Sequence, residues 1–204
     1  MMSLKRSFLL LALSVLSLGA MAQQGDGYRA LKAEPPTVDG PVEVLEFFWY
    51  GCGACYQFEP LVDTWKGDLA EGVVFNRVPA VLNPNWRIHG QAYYTAEALG
   101  VTERMHRQIF TAIHQERNFL QSEADLRSLF VSNGVSGEDF DKAWNSFAVD
   151  SQLRRAERLA REYEIRATPS IVVGGHYVSD PRTAGGLREL LQLTDRLTER
   201  LQTQ

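Results

Sequence analysis

The fold is decided by residues 42–59, which read VEVLEFFWYGCGACYQFE. The run from Val42 to Trp49 is rich in β-branched and aromatic residues, which predicts a buried strand. Gly51 ends that run. Apolar residues then recur at helical spacing, at Tyr56, Phe58, Leu61, Val62, Trp65 and Leu69. A second β-rich run covers Val73–Val78. Strand, helix and strand in so short a stretch predict a βαβ unit with parallel strands.

The middle of the chain, residues 83–164, carries almost no strand signal. Helical patterns follow one another there, over Ile88–Leu99, Glu103–His114, Glu123–Asn133, Glu138–Phe147 and Ser151–Tyr163. The spacing Ser122-x-x-Asp125 predicts a capping box at the start of the third pattern. This stretch is therefore predicted to be a helical block.

Strands return after that block. Ser170–Val173 and His176–Val178 are short β runs, and Gly174-Gly175 between them predicts a hairpin. An amphipathic helix over about Gly186–Leu201 is the last predicted element. The order predicts an α/β fold in which one sheet, with helices on its faces, carries the helical block as an insertion.

The first residues have the pattern of a secretory signal peptide. A basic pair, Lys5-Arg6, precedes the apolar run Phe8–Leu18, and Ala20-Met21-Ala22 follows as an A-x-A cleavage site. The run is shorter than the roughly 20 residues that span a bilayer, although a short membrane anchor is the alternative. We therefore expect residues 1–22 to be removed during export.

Size and charge exclude several classes of partner. The chain has 204 residues and a formal net charge of −4, which gives no reason to expect binding to nucleic acid or to an anionic membrane. A mature chain of about 180 residues is one domain, or one domain with a large insertion. Nothing in the pattern indicates an obligate dimer, so a monomer is expected.

The cysteines narrow the function, because the chain has only 2 of them, Cys52 and Cys55. A disulfide across so short a loop removes little unfolded-state entropy, so an inert structural staple is a weak alternative. A zinc site needs four ligands, and the histidines show no paired spacing toward the cysteines. The four histidines are His89, His106, His114 and His176. We therefore predict a redox-active dithiol without a metal or a further cofactor.

The place of the pair at the start of a predicted helix suits disulfide exchange. The attacking species is a thiolate, and a helix N-terminus favours negative charge through its dipole and its free N–H groups. Cys52 is therefore predicted to be the attacking thiolate. Cys55 lies one turn later and is predicted to be the buried sulfur that resolves a mixed disulfide.

Three segments resemble the DsbA family of bacterial periplasmic thiol:disulfide oxidoreductases. They are Leu45–Glu59 around the Cys-Gly-Ala-Cys motif, Ala143–Phe147 (AWNSF) and Ala167–Ser170 (ATPS). The resemblance implies a thioredoxin fold with an inserted all-helical domain. Residues 23–82 and 157–204 would form the thioredoxin-like domain, and residues 83–156 the insertion.

The resemblance also implies a function and partners. The protein would donate its Cys52–Cys55 disulfide to reduced, unfolded, newly exported proteins in the periplasm, and a DsbB-type membrane quinone reductase would reoxidise it. The best-known members have Pro-His between the cysteines, whereas this chain has Gly53-Ala54, without a side-chain donor. We expect the pKa of Cys52 to be lowered less than in Pro-His members, with the helix terminus supplying more of the stabilisation.

Further residues gain roles from the resemblance. Thr168-Pro169 corresponds to the cis-proline loop of the family, although spacing alone favours the trans bond that is the default before proline. Thr168, Pro169, Gly53 and Ala54 are expected to contact the substrate. Aromatic residues flank the motif, and at least one of Trp49, Tyr50 and Tyr56 is expected to line an apolar binding surface, core packing being the alternative.

Glu46 lies inside an apolar strand, where an unpaired carboxylate is costly. From the residues alone it could be an outward-facing strand residue like Glu43. The resemblance instead implies a buried acid below Cys55 that takes up protons during exchange, with Arg77 as its basic partner. His89 is expected to be a surface or helix-capping histidine.

Two other interpretations stay open. A disulfide isomerase or reductase of the same fold would use the same cysteines, although isomerases of this fold class usually need a dimerisation module, and none is predicted here. A non-catalytic substrate-binding module would keep the fold without relying on Cys52.

Overall fold

The computed structural model describes residues 26–31 and 40–203. The predicted signal peptide, residues 1–22, lies outside the described residues. The strands are β1 (Arg29–Ala30), β2 (Val42–Phe48), β3 (Val73–Pro79), β4 (Ser170–Val173) and β5 (Tyr177–Ser179). The helices are α1 (Gly53–Trp65), α2 (Arg87–Ala98), α3 (Thr102–His114), α4 (Glu123–Ser132), α5 (Gly137–Trp144), α6 (Phe147–Glu162), α7 (Pro181–Ala184) and α8 (Leu187–Gln202).

One five-stranded sheet runs in the order β1-β5-β4-β2-β3. The predicted parallel pairing of β2 with β3 is confirmed, while β4 joins the other edge of β2 in the antiparallel sense. The predicted hairpin between β4 and β5 is also confirmed. Its Gly174 and Gly175 have φ angles of 58° and 64°, which a residue with a Cβ rarely adopts.

The central strand β2 is covered on both faces, as its near-continuous apolar sequence predicts. Side chains alternate along a strand, so Glu46 shares a face with Val42 and Val44. Those two valines pack with Phe58 of α1 and with α8. Glu46 therefore points toward the helix that carries the cysteines, and the other face of the sheet packs against the end of α6.

Two helix boundaries differ from the predicted ones. The pattern over Glu138–Phe147 ends early, because the side chain of Ser146 accepts from Val149 N, 3.2 Å away, and starts a new helix. Helix α6 consequently begins at Phe147 rather than Ser151 and runs without a break to Glu162. The predicted domain boundary at 156/157 falls inside this helix, and the division into domains stays a prediction.

Local capping explains two further elements. The predicted capping box at Ser122 and Asp125 is present, with Asp125 N 3.1 Å from Ser122 Oγ. The short helix α7 was not predicted, and Asp180 starts it by accepting from Arg182 N and Thr183 N. Among residues 26–31 and 40–203, no helix has the length and apolar character needed to cross a bilayer.

Candidate active site

Cys52 occupies the predicted position between β2 and the first turn of α1. It is the N-cap residue of α1, and its Sγ accepts from Cys55 N at 3.2 Å. Cys52 N in turn donates to Trp49 O at 3.0 Å, which closes a tight turn. Cys52 is partly exposed and Cys55 is fully buried, and no disulfide joins them in this structure. This is the arrangement of an attacking sulfur with a resolving sulfur beneath it.

The two thiols have opposite acidities. The pKa of Cys52 is lowered to about 6, first by a hydrogen bond from the Cys55 thiol, with Thr168 and nearby backbone N–H groups adding to the effect against burial. The direction agrees with the predicted lowering, and the largest cause is the second cysteine, with the backbone N–H groups of the helix terminus adding to it. The comparison with Pro-His members stays a prediction. Burial raises the pKa of Cys55, and the hydrogen bond to Cys52 raises it further. Near neutral pH, Cys52 is the thiolate and Cys55 holds the proton.

The Thr168–Pro169 peptide bond is cis. The resemblance predicted this geometry, and the trans bond that spacing alone favoured was wrong. The sulfur of Cys52 lies 3.3 Å from the carbonyl oxygen of Thr168. Gly53 and Ala54 are exposed on the same end of α1. The predicted substrate-contacting residues thus lie around the reactive sulfur.

Glu46 is completely buried, so it is not an outward-facing strand residue. It stands opposite Arg77 in the register of β2 and β3, and Arg77 Nε donates to its Oε2 at 3.2 Å. Burial is the main cause that raises the pKa of Glu46, a nearby Glu59 raises it further, and Arg77 opposes both. The predicted pair of acid and base is therefore present below the cysteine helix.

Glu59 belongs to the same buried cluster, which the sequence interpretation missed. Arg77 Nη2 donates to its Oε2 at 2.9 Å, so two nitrogens of one guanidinium hold two carboxyl groups. Glu59 Oε2 also lies 3.0 Å from His106 Nε2, and His106 Nδ1 lies 2.9 Å from the hydroxyl of Tyr50. Burial raises the pKa of Glu59 and lowers that of His106, which is neutral there. The signal in the sequence was spacing, because Glu59 follows Cys55 by one helical turn.

His89 is buried, so the expectation of a surface or capping histidine was wrong. Trp49 Nε1 donates to His89 Nδ1 at 3.0 Å, and His89 Nε2 donates to Phe119 O at 3.1 Å. A second histidine, His114, bonds Tyr50 O through Nε2 at 2.8 Å. The loop before Cys52 is thus anchored to the helical segments at two points.

In the part of the chain that the structure describes, no three His, Cys, Asp or Glu side chains come together as metal ligands. The expected absence of a metal stays a prediction.

A low-pKa cysteine at a helix N-terminus, a buried partner one turn later and a facing cis-proline loop define a thiol:disulfide oxidoreductase of the thioredoxin-like class. The comparisons with known proteins agree. The family model of the DSBA-like thioredoxin domain matches residues 67–197. The chain is 40% identical over 195 residues to the thiol:disulfide interchange protein DsbA of Azotobacter vinelandii, covering 91% of each chain.

Solved structures lead to the same class. The crystal structure of Pseudomonas aeruginosa DsbA superposes with a TM-score of 0.81 and 38% identity, over 87% of this chain and 93% of that one. The oxidoreductase DsbA from Xylella fastidiosa gives a TM-score of 0.79 at 28% identity, over 87% of this chain and 96% of that one. The chain belongs to the DsbA family, and it is a thiol:disulfide oxidoreductase with a thioredoxin-like fold and a large helical complement.

Proposed function

We propose that this protein donates its Cys52–Cys55 disulfide to reduced, unfolded proteins after their export to the periplasm. The observation that carries the proposal is the pair of opposite acidities, with the pKa of Cys52 lowered to about 6 and that of Cys55 raised by burial. A stabilised thiolate favours the dithiol over the disulfide, at about 1.4 kcal/mol or about 30 mV for each pKa unit. The disulfide form is therefore an oxidant, and the cysteine pair itself is the redox group.

The reaction proceeds in two exchanges. A substrate thiolate attacks Cys52 Sγ, which forms a mixed disulfide and expels the sulfur of Cys55 as a thiolate that takes up a proton. A second substrate thiolate then attacks the substrate sulfur of the mixed disulfide. The substrate leaves with its new disulfide, and Cys52 leaves as the thiolate that its low pKa favours.

A buried carboxyl group supplies the proton, and the cis-proline loop supplies the backbone to which the substrate binds. Glu46 is the acid that gives a proton to Cys55, since burial raises its pKa and keeps it protonated near neutral pH. Arg77 holds that carboxyl group at 3.2 Å. An extended substrate segment pairs with the backbone at Thr168 and Pro169, as a strand added to an exposed edge, and passes over Gly53 and Ala54.

The compartment and the reoxidant follow from the same proposal. The signal-peptide pattern of residues 1–22 supports export, and the relatives are named as thiol:disulfide interchange proteins. A DsbB-type membrane quinone reductase would accept the two electrons from the reduced pair. The protein acts as a monomer in this proposal. Cell fractionation would detect the processed chain in the periplasmic fraction.

The direct test measures oxidation of reduced ribonuclease by the disulfide form. We expect stoichiometric oxidation by the native protein and none by Cys52→Ser, which removes the attacked sulfur. A non-catalytic binding module would oxidise no ribonuclease even as the native protein, and its binding of unfolded chains would survive in Cys52→Ser. A second measurement takes the reduction potential of the pair against glutathione, where a value near about −270 mV, like that of thioredoxin, would contradict a disulfide donor and favour a reductase. Efficient refolding of scrambled ribonuclease would favour an isomerase.

A further inference from the structure

A cavity of about 750 Å³ opens directly beside the reactive turn. Gly51, the residue before Cys52, forms part of its wall. The rest comes from the connection between β3 and α2, from the start of α2 and from the segment after α3, with the lining Trp49, Asn83, Pro84, Asn85, Trp86, Ile88, His89, Ile113, Phe119 and Gln121. Its volume lies in the range of roughly 300–1,000 Å³ that is typical of ligand sites.

The wall nearest Cys52 is built in a fixed geometry. The ring of Trp49 lies across Gly51, where a Cβ would come within 2.3 Å of Trp49 Cζ2, so only glycine leaves room for it. Trp49 stacks on Trp86 with ring centroids 4.1 Å apart and an interplanar angle of 5°. His89 holds the indole nitrogen of Trp49 from behind at 3.0 Å. The two indoles therefore form one rigid apolar surface that begins next to the reactive sulfur.

Phe119 forms the opposite rim, and its side chain is 60% exposed. The backbone here is held in place, because Phe119 O accepts from His89 and the next residue, Leu120, is buried. Arg117 and Leu120 have φ angles of 59° and 49°, an uncommon conformation for residues with a side chain. Such conformations persist only where surrounding contacts impose them, and they cluster at binding sites. The backbone thus presents a large apolar side chain to solvent from a fixed position.

The lining has no charged side chain. Trp49, Trp86 and Phe119 supply aromatic surface, while the amides of Asn83, Asn85 and Gln121 lie at the edge. The ring of His89 is neutral, since burial lowers its pKa. An uncharged apolar floor with an amide rim fits a stretch of unfolded polypeptide, whose large side chain is buried while its backbone reaches polar groups.

We propose that this cavity binds a large apolar side chain of the reduced substrate, on one flank of the cysteine that reacts with Cys52. This inference rests on the proposed function. The occupant follows from position, because Gly51 lines the cavity and directly precedes Cys52, so a chain whose sulfur reaches Cys52 has one flank beside the mouth of the cavity. Phe119 and Trp86 become specificity-determining residues, which favour cysteines with aromatic or branched aliphatic neighbours over those with charged ones.

The test compares two reduced dicysteine peptides that differ only near one cysteine, where one has leucine and the other serine. Rates of oxidation by the disulfide form are measured over a range of peptide concentrations, for the native protein and for Phe119→Ser. Phe147→Ser is the matched control, because Phe147 is 80% exposed at the start of α6 and outside the cavity.

For the native protein we expect KM to be about tenfold lower for the leucine peptide, which is the gain from partial burial of one large apolar side chain. In Phe119→Ser the ratio of the two KM values should fall toward one while kcat is retained. The reason is that the contact stabilises the bound ground state and the transition state equally. Phe147→Ser should keep the native preference. Binding of the leucine peptide to Cys52→Ser should also change tryptophan fluorescence, since two of the 4 tryptophans line the cavity.

Several results would overturn the proposal. One is an equal preference in the native protein and Phe119→Ser, and another is the same loss of preference in Phe147→Ser. A third is an unchanged peptide preference in Phe119→Ser together with slower reoxidation by a membrane quinone reductase. That result would mean that the cavity binds the reductase rather than the substrate. Failure of the proposed function looks different, since the native protein would then oxidise neither peptide.

Discussion

At the residue scale, Glu46 is the group whose role is most open to a direct test. Glu46→Gln keeps the shape and the hydrogen bond to Arg77 but removes the proton that Cys55 needs when it leaves as a thiolate. We expect the rate of disulfide exchange near neutral pH to fall at least about tenfold, since general acids typically contribute more than that. Stopped-flow measurement of peptide oxidation gives the rate.

The matched control for this variant is Glu43→Gln, three residues earlier on β2. Its carboxylate accepts from Asn76 at 3.0 Å and makes no contact with Arg77, so the exchange rate should stay native. An unchanged rate in Glu46→Gln would reject the proton role. The buried carboxyl group would then be retained only as part of the ion-pair cluster with Arg77 and Glu59.

Ala54 gives the second prediction at this scale, because it offers no donor to the Cys52 thiolate. Ala54→His adds a cationic imidazole on the exposed first turn of α1, which should lower the pKa of Cys52 below about 6. The reduction potential should become less negative by about 30 mV for each unit of pKa. Thiolate absorbance near about 240 nm gives the pKa.

Thr64→His is the control, since it adds the same side chain at an exposed position near the end of α1, far from the sulfurs. A titration midpoint for Ala54→His equal to that of the native protein would show that the sulfur–sulfur hydrogen bond and the helix terminus already determine the thiolate's stability.

At the element scale, capping decides where the helices of the middle segment begin. Ser122→Ala removes the oxygen that accepts from Asp125 N and should lower the free energy of unfolding by about 1 kcal/mol. Ser128→Ala, at an exposed interior position of the same helix, should have little effect or a slightly stabilising one. Urea unfolding of both variants measures the difference. Equal stability of the two would mean that tertiary packing alone holds the start of α4.

The sequence allowed most elements to be predicted for local reasons and failed where the cause was not local. The apolar run of β2, the helical spacing of α1 and the glycine pair before β5 each define their own structure. Helix α6 begins where it does because the hydroxyl of Ser146 caps its first turn, and the apolar pattern of the sequence does not show this cap. Helix α7 likewise depends on the cap that Asp180 provides. The spacing of apolar residues therefore does not predict where a single N-cap residue starts a helix.

At the scale of the whole molecule, the site joins segments far apart in sequence. The thiolate faces Thr168, 116 residues after Cys52, and the acid cluster combines β2, β3, α1 and α3. Spacing placed the cysteines, while the cis bond and the pairing of Glu46 with Arg77 came from family resemblance. The prediction from sequence missed the roles of Glu59 and His106 and the burial of His89. A single amino-acid sequence does not show which helix packs over which strand.

The lowered pKa of Cys52 links the redox state to the stability of the whole fold. A thiol whose pKa is lower in the folded state than in the unfolded state stabilises the fold where it is ionised, and this stabilisation is lost as the pH falls through the folded value of about 6. Cys52 therefore adds stability to the reduced protein as the pH rises from about 6 to about 8, whereas the raised pKa values of the buried Glu46 and Glu59 lower the stability of both redox forms over this range. The disulfide form has no such thiol and should show no gain from it.

The consequence is measurable as a pH-dependent difference in stability between the reduced form and the disulfide form. Near pH 8 the reduced protein should resist urea better than the disulfide form, which is the reverse of the usual effect of a disulfide, and the difference should shrink toward pH 5. Reduced Cys52→Ser should follow the pH dependence of the disulfide form, since it lacks the low-pKa thiol and its Cys55 has a raised pKa and stays protonated. A disulfide form more stable than the reduced form throughout this range would mean that folding favours the disulfide. A protein with that balance would not drive oxidation of its substrates, because the free energy gained on reduction is what it passes on as a disulfide.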